Sequence, residues 1–329
     1  DTSTPHTAAE IQIERLRNEL GLLVKSAFEI EVFIREAENK QPFGHLSIYS
    51  STDVIENCQG LMFDFMQELL ERGIKVDSVQ TENGFGEFEF TLVVAEGLQA
   101  IRKTVQFKNI IKRFMKSRGY EATFMSAMAS RREDCLTFHF NHSLWTPSGK
   151  NAFLDTSKPN NLSDLGCHWL AGLIEHAPAM TAFCCPTINC YSMFHVPHEA
   201  SWSVGERSAA FRLKIEGQDN IYIENRIPLG ASNPYLVLIC TLAAGIDGIK
   251  RKLPLPEAYE SKCMLPTDLE TALRTLEADT VLTEAMGSKL VEYFCFVKRK
   301  FELEEFAAAG NLNDEELLKM ENEYYFHNV

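Results

Sequence analysis

The chain has 329 residues with a formal net charge of −14; 45% of its residues are hydrophobic and 24% charged. So acidic a balance excludes nucleic acid and anionic membrane surfaces as favoured partners, and no apolar run approaches the ~20 residues of a membrane helix. No signal peptide is visible, the start at Asp1 without Met reads as a fragment of a longer chain, and nine cysteines, mostly in apolar settings such as "YLVLICTLAAG" and "VEYFCFV", read as free buried thiols of a reducing, cytoplasmic compartment.

In chain order, Ala9 to Leu23 places Ile11, Leu16, Leu20 and Leu23 at helical spacing, with a stop near Gly21. "SAFEIEVFIRE" alternates as a strand. Asp53 to Arg72 is an amphipathic helix ending at Gly73. "IKVDSVQ" and "GEFEFTLVV" are strands around a Glu-Asn-Gly-Phe-Gly turn. Leu98 to Ser117 is helical, with strands near Ala122 and from Leu136. Helices are expected over Leu162–Met180 and Pro234–Ile249, with strands at Ser203–Lys214 and Ile221–Ile227 between them. From Leu269 onward the chain is mainly helical, and Leu290–Phe306 reads as a packed surface helix, as at a subunit contact. There is no repeat, low-complexity tract or linker. Successive hairpin-joined strands between long helices point to an α+β fold with an antiparallel sheet.

Glu29 and Glu31 are two apart on a strand and leave the same face. Like charges side by side repel, and partial burial makes this worse, so either the face is solvated or a cation sits between them. Glu87 and Glu89 repeat the pattern opposite Phe88 and Phe90, and the turn before them can bring Glu82 beside Glu89. In "LTFHFNHSLW" the aromatic residues Phe138 and Phe140 alternate with His139 and Asn141. "IYIENRIP" places Glu224 and Arg226 on one face. Oxygen-rich sets with one imidazole suit magnesium or manganese better than zinc. Cys184 and Cys185 lack zinc-type spacing. His195 and His198 read as exposed loop residues or as ligands, His168 and His176 as core-edge residues of a helix. Cys135 has no matched base that would make it a nucleophile.

Taken together, "FEIEVF", "ENGFGEFE", "FHFNHSLW", "CPTINCY", "ERSAAFR", "IENR" and "ASNPYLVLICTLAAGIDGIK" resemble, in order, the motifs of the class I type glutamine synthetase catalytic domain. The resemblance covers nearly the whole of residues 1–329 and implies that family's fold, a curved antiparallel sheet with outer helices, its ligand-bearing face lining a funnel. It implies an ATP-dependent ligase that joins an acid to an amine or ammonia through an acyl phosphate. By the resemblance, Glu31, Glu82 and Glu89 hold one magnesium or manganese ion, and Glu29, His139 and Glu224 hold a second. Arg207 and Arg212 steady the phosphates, and Arg226 lies near the transferred phosphoryl group. Glu199 closes the site and takes a proton from the ammonium, and Ser143 lies at the nucleotide end. The resemblance further implies a homo-oligomer, typically a dodecamer of stacked rings, with each site completed by a neighbour's small N-terminal β-grasp domain, which this chain does not contain.

The departures concern the substrate. Asn141 stands where the family's second strand histidine helps bind the amino acid. His142 is one residue off and points to the other face unless a bulge intervenes. Met193 takes the place of an arginine that binds substrate carboxylate, and "RREDCL" that of an Asn/Gly-rich loop. Asp219 and Tyr222 stand at basic positions around the nucleotide, and Glu87 replaces a Gln. "HSLW", "HWLAGL" and "NPYLVL" also resemble lengsin, a non-enzymatic branch from the vertebrate lens. Two functions therefore stand side by side: a ligase with an altered acid pocket, or a non-catalytic structural or chaperone-like partner of intermediate filaments.

Overall fold

The computed structural model describes residues 4–44, 49–127, 135–191, 197–217, 220–260, 263–310 and 312–329. Its strands are β1 (Leu23–Glu36), β2 (Val76–Thr81), β3 (Glu87–Leu92), β4 (Ala95–Glu96), β5 (Tyr120–Thr123), β6 (Phe140–Trp145), β7 (Trp202–Val204), β8 (Phe211–Glu216) and β9 (Asn220–Asn225). They form one open sheet in the order β2-β3-β1-β6-β9-β8-β7, with β4 and β5 also paired to β1. Every pair is antiparallel except β7 with β8. This is the α+β architecture expected from the sequence.

β1 organises the sheet because it is long enough to pair along its length with four other strands. Its alternation sends Val24, Phe28, Ile30, Val32 and Ile34 to a fully buried face. Glu29 and Glu31 leave from the other. The buried face packs against helices α2 (Thr52–Glu71) and α3 (Leu98–Ser117), which follow α1 (Pro5–Leu20) in the chain. Phe65 of α2 and Phe107 of α3 meet Phe90 of β3 with ring centroids 5.7 and 5.2 Å apart. Burying each such ring contributes about 2 kcal/mol, so the apolar face fixes the register that exposes the acidic one.

The remaining helices are α4 (Asp164–Cys184), α5 (Pro234–Arg251), α6 (Leu269–Ala278), α7 (Thr280–Met286), α8 (Ser288–Lys298), α9 (Glu304–Ala308) and α10 (Asp314–Tyr325). Glycines let α4 and α5 approach backbone to backbone: a Cβ on Gly172 would meet the Ala244 carbonyl oxygen at 2.2 Å. Small residues also set α1 against the core, where Ala8, Ala9 and Leu16 are buried while Ile11 is exposed. That helix begins at Pro5, capped by Thr4, ahead of the point where its large apolar residues start.

Three local expectations need correction. The segment Ser203–Lys214 is two strands, not one: Gly205, at φ 81, turns the chain out of β7, and residues 205–210 form a connection that carries Arg207 before β8 begins. The strand from Leu136 becomes regular only at Phe140. Glu29 and Glu31 still donate backbone N–H groups to the carbonyls of His139 and Thr137, but Phe138 N turns away to Pro228 O. The surface helix of 290–306 is interrupted by a wide π turn, Arg299–Leu303. That extra residue per turn rotates Glu302 inward to 4% exposure, where it accepts from Ile188 N at 2.8 Å and from the Tyr325 hydroxyl at 2.5 Å.

Candidate active site

The polar face of the sheet lines a cavity of 840 Å³. Its carboxylates come from five strands and one turn. Glu31 on β1 lies directly opposite Glu89 on β3, and Glu89 opposite Gln80 on β2. Like charges paired across a ladder destabilise it. Glu82 joins them from the turn, whose Glu82 N–H bonds Glu87 O at 3.0 Å. On the other side, Glu224 of β9 faces Asn141 of β6 and Arg212 of β8.

Two groups of ligand atoms result. One oxygen each from Glu31, Glu82 and Glu89 lie within 4.8 Å of one another, as do single atoms from Glu29, His139 and Glu224. His139 Nδ1 is 3.3 Å from Glu29 Oε2 and 3.4 Å from Glu224 Oε1. Gln80 Nε2 donates to Glu82 at 3.0 Å and to Glu89 at 3.1 Å. Thr137 donates its backbone N–H and its hydroxyl to Glu31 at 2.5 and 2.6 Å.

The two groups differ in charge balance. Burial, then the charges of Glu29, Glu82 and Glu224, push the Glu89 carboxyl up to about 8 against the pull of Lys214. Burial and the Glu82 charge hold Glu31 well above the usual carboxylate range despite the Thr137 bonds. Burial would raise Glu29 as well, but His139, Lys214 and Asn141 together outweigh it and hold that carboxyl low. Glu224, 1% exposed, receives Arg212 at 3.1 Å and Arg226 at 2.5 Å.

The cavity wall facing these carboxylates carries Arg207, Arg212, Lys214 and Arg226. Backbone carbonyls hold two of them: Arg212 Nε donates to Gly205 O at 2.7 Å, and Arg226 Nε to Arg207 O at 2.8 Å. Arg207 Nη1 donates to the Tyr49 hydroxyl at 3.3 Å. Cys135 also lines this cavity. A second cavity of 460 Å³ adjoins it, lined by Lys25, Val93, Val94, Ser143 and Trp145. Trp145 Nε1 donates to Ser143 Oγ at 2.9 Å, and Lys25 Nζ lies 3.9 Å above the Trp145 ring.

Asn141 lies beside the carboxylates and donates to Glu29 Oε1 at 3.0 Å. No bulge interrupts its register: Asn141 faces Ala27 and His142 faces Ser26. His142 therefore points into the core, where Trp169 Nε1 donates to its Nε2 at 3.0 Å and burial pushes its pKa down to about 4. Glu199 is exposed and does not line the larger cavity; its segment bridges to Met264. Met193, His195, Asp219 and residues 131–134 lie outside the described residues. His176 is a buried structural residue held between Asp279 and Asp247 at 2.6 and 3.0 Å, and His168 bonds Leu253 O.

A protein family described as "Glutamine synthetase, catalytic domain" matches residues 2–317. The chain belongs to this glutamine synthetase family. It is 28% identical to lengsin of Canis lupus familiaris over 92% of its own length and 54% of that protein, so it spans just over half of this relative. It is 28% identical to glutamine synthetase of Methanocaldococcus jannaschii over 90% of its length and 70% of that enzyme. A solved structure described as "GmaS/ADP complex-Conformation 1" superposes with a TM-score of 0.84 at 25% identity, covering 96% of this chain and 76% of that one. A "novel glutamine synthase homolog" shares the fold at a TM-score of 0.86 and 24% identity, over 99% of this chain and 76% of that one.

Sequence reasoning missed Lys214, Gln80 and Thr137. Lys214 follows Arg212 by two residues, so the period of a strand alone places it on the ligand face. Gln80 becomes visible only through the ladder that sets it opposite Glu89. Thr137 reaches Glu31 from the irregular stretch before β6.

Proposed function

We propose that this chain carries the catalytic domain of an ATP-dependent, magnesium- or manganese-dependent ligase that joins an acid to an amine or ammonia through an acyl phosphate, with an altered acid pocket. The observation that carries this reading is the pairing of two three-ligand groups with an opposed wall of four cations. Like-charged carboxylates within 4.8 Å of one another, three of them with raised pKa values, fit divalent ions. Glu31, Glu82 and Glu89 would hold one ion, and Glu29, His139 and Glu224 the other. Bound ions of this kind neutralise phosphate oxygens during phosphoryl transfer.

The chain's own residues supply the rest. Arg212 and Arg226 are pre-oriented by their carbonyl bonds, so little freedom is lost when they grip a phosphoryl oxygen. Arg207, exposed at the cavity wall, adds a third contact to the phosphates. Ser143 and Trp145 line the smaller cavity, which suits the base of the nucleotide. Glu199, on the segment before β7, is assigned to site closure and proton removal from the amine. Ring assembly of such subunits, with a neighbour completing each site, and a cytoplasmic location belong to the same reading. Asn141, which lines the smaller cavity beside Glu29, stands where the resemblance puts a histidine that helps bind the amino acid, and this supports an acid other than that of glutamine synthetase itself. The test is ADP release by the full-length protein with Mg2+ or Mn2+ and a panel of acids and amines. Turnover with one acid–amine pair supports the reading, and metal binding without turnover on any pair removes it.

A second reading has its own observation. Asn141 Oδ1 is buried without a hydrogen-bond partner and His142 is turned into the core, as a pocket no longer used for catalysis permits. Together with the similarity to lengsin, this favours a non-catalytic member that associates with intermediate filaments. Cosedimentation of the full-length protein with assembled filaments, unaffected by Glu31→Gln, distinguishes it.

A further inference from the structure

Lys214 leaves β8 on the same face as Arg212. β8 is three places from β1 in the sheet, about 14 Å at the usual strand spacing. Its ammonium nonetheless lies 3.4 Å from Glu29 Oε1 on β1, because the curved sheet brings the cationic wall over the acidic floor. Arg212 and Arg226 are pinned by backbone carbonyls, and Arg207 meets a hydroxyl. Lys214 instead makes a long ion pair to Glu29 and lies 5.2 Å over the ring of Tyr222, its ladder partner. A compact charge on a flexible stem can change partners without moving the backbone.

Tyr222 borders both the 840 Å³ cavity and the 460 Å³ cavity beside it. Glu29, Asp77, Thr91 and Glu216 border both as well, so a ligand with an aromatic end against Trp145 and an anionic end among the arginines crosses an acidic junction, where Lys214, beside Tyr222 and Glu29, is the cation at hand. We infer that Lys214 is a binding residue for the phosphates of a nucleoside di- or triphosphate, taking them at the junction of the two cavities and leaving Glu29 as it does so. This rests on the nucleotide reading above and extends it: binding the anion takes the competing ammonium away from Glu29 Oε1, which keeps only its bond from Asn141, and so favours a cation there.

The test compares the full chain with Lys214→Met, Lys214→Gln and Lys214→Arg. Calorimetry with ADP and Mg2+ measures nucleotide affinity, and electron paramagnetic resonance measures Mn2+ affinity without nucleotide. Thermal melts identify folded variants, and the glutamine variant carries the test if the methionine variant does not fold. Neutral variants should bind ADP about tenfold more weakly, the loss of one charged hydrogen bond, and Mn2+ more tightly, since the competing ammonium is gone. The arginine variant should remain near wild type for ADP. Wild type that binds ADP while the neutral variants bind it equally well overturns this inference alone. Wild type that binds no ADP overturns the nucleotide reading and this inference together.

Discussion

The Asn141 amide donates to Glu29 Oε1 at 3.0 Å while its own Oδ1 is buried without a partner. The bond fixes which way round the amide lies, since an oxygen in that position would repel the carboxylate. Asn141→Ala should cost about 1.5 kcal/mol, the low end for a hydrogen bond to a charged group, because the orphaned oxygen leaves with the donor. Asn141→Asp sets two carboxylates in contact and should cost more. Millimolar Mg2+ should return most of that loss. Denaturant titrations with and without chelator measure both.

Glu89 gives the metal-free protein a defined pH dependence. Its folded pKa, raised to about 8, exceeds the ordinary value of about 4.3. The folded state therefore holds the proton longer, and stability falls as pH rises through that window. Above pH 8, Glu89→Gln should be more stable than chelated wild type by on the order of 2 kcal/mol. Adding Mn2+ should stabilise wild type and have a much smaller effect on the variant. Thermal melts across the pH range check this.

His176 adds a second pH dependence of the same sign, here from a cationic group. Burial disfavours its charged form, but the bonds to Asp279 and Asp247 outweigh that and raise its pKa. Its contribution is complete below the ordinary histidine value of about 6.5 and is lost as pH rises through the raised folded value. His176→Leu leaves two half-buried carboxylates without it and should cost about 3 kcal/mol near pH 6. The gap to wild type should narrow in alkaline buffer, as urea midpoints at the two pH values will show.

Gly172→Ala places a methyl carbon 2.2 Å from the Ala244 carbonyl oxygen where α4 crosses α5. Neither backbone can yield cheaply, so the expected loss is about 3 kcal/mol. A fall in the denaturation midpoint without a change in slope identifies it. Gly21→Ala has open space around it but holds φ 68, and should cost about 1 kcal/mol.

The alternation of Glu29 and Glu31 with Phe28, Ile30 and Val32 was legible because a strand's period is two and one face had to be apolar. Helix bounds such as Leu98–Ser117 were legible from amphipathic spacing between glycine stops. That Glu224 meets His139, or that Glu82 meets Glu31, is set by ladders between distant segments, which local periodicity does not encode. The order of motifs along the chain pointed there instead. The break between β7 and β8 escaped notice because "WSVGERSAAFRLK" is compatible with one long strand until Gly205 adopts its left-handed conformation. Glu302 reads as a surface charge and is buried because a π turn rotates it inward.

The central claim is that Glu31, Glu82 and Glu89 on one side, and Glu29, His139 and Glu224 on the other, form two cation sites. Titration of the full chain with Mn2+, followed by electron paramagnetic resonance, tests it most directly. Two ions per chain are predicted, with one lost in Glu31→Gln and the other in His139→Ala. A wild-type chain that binds no Mn2+, or variants that keep both ions, would contradict it.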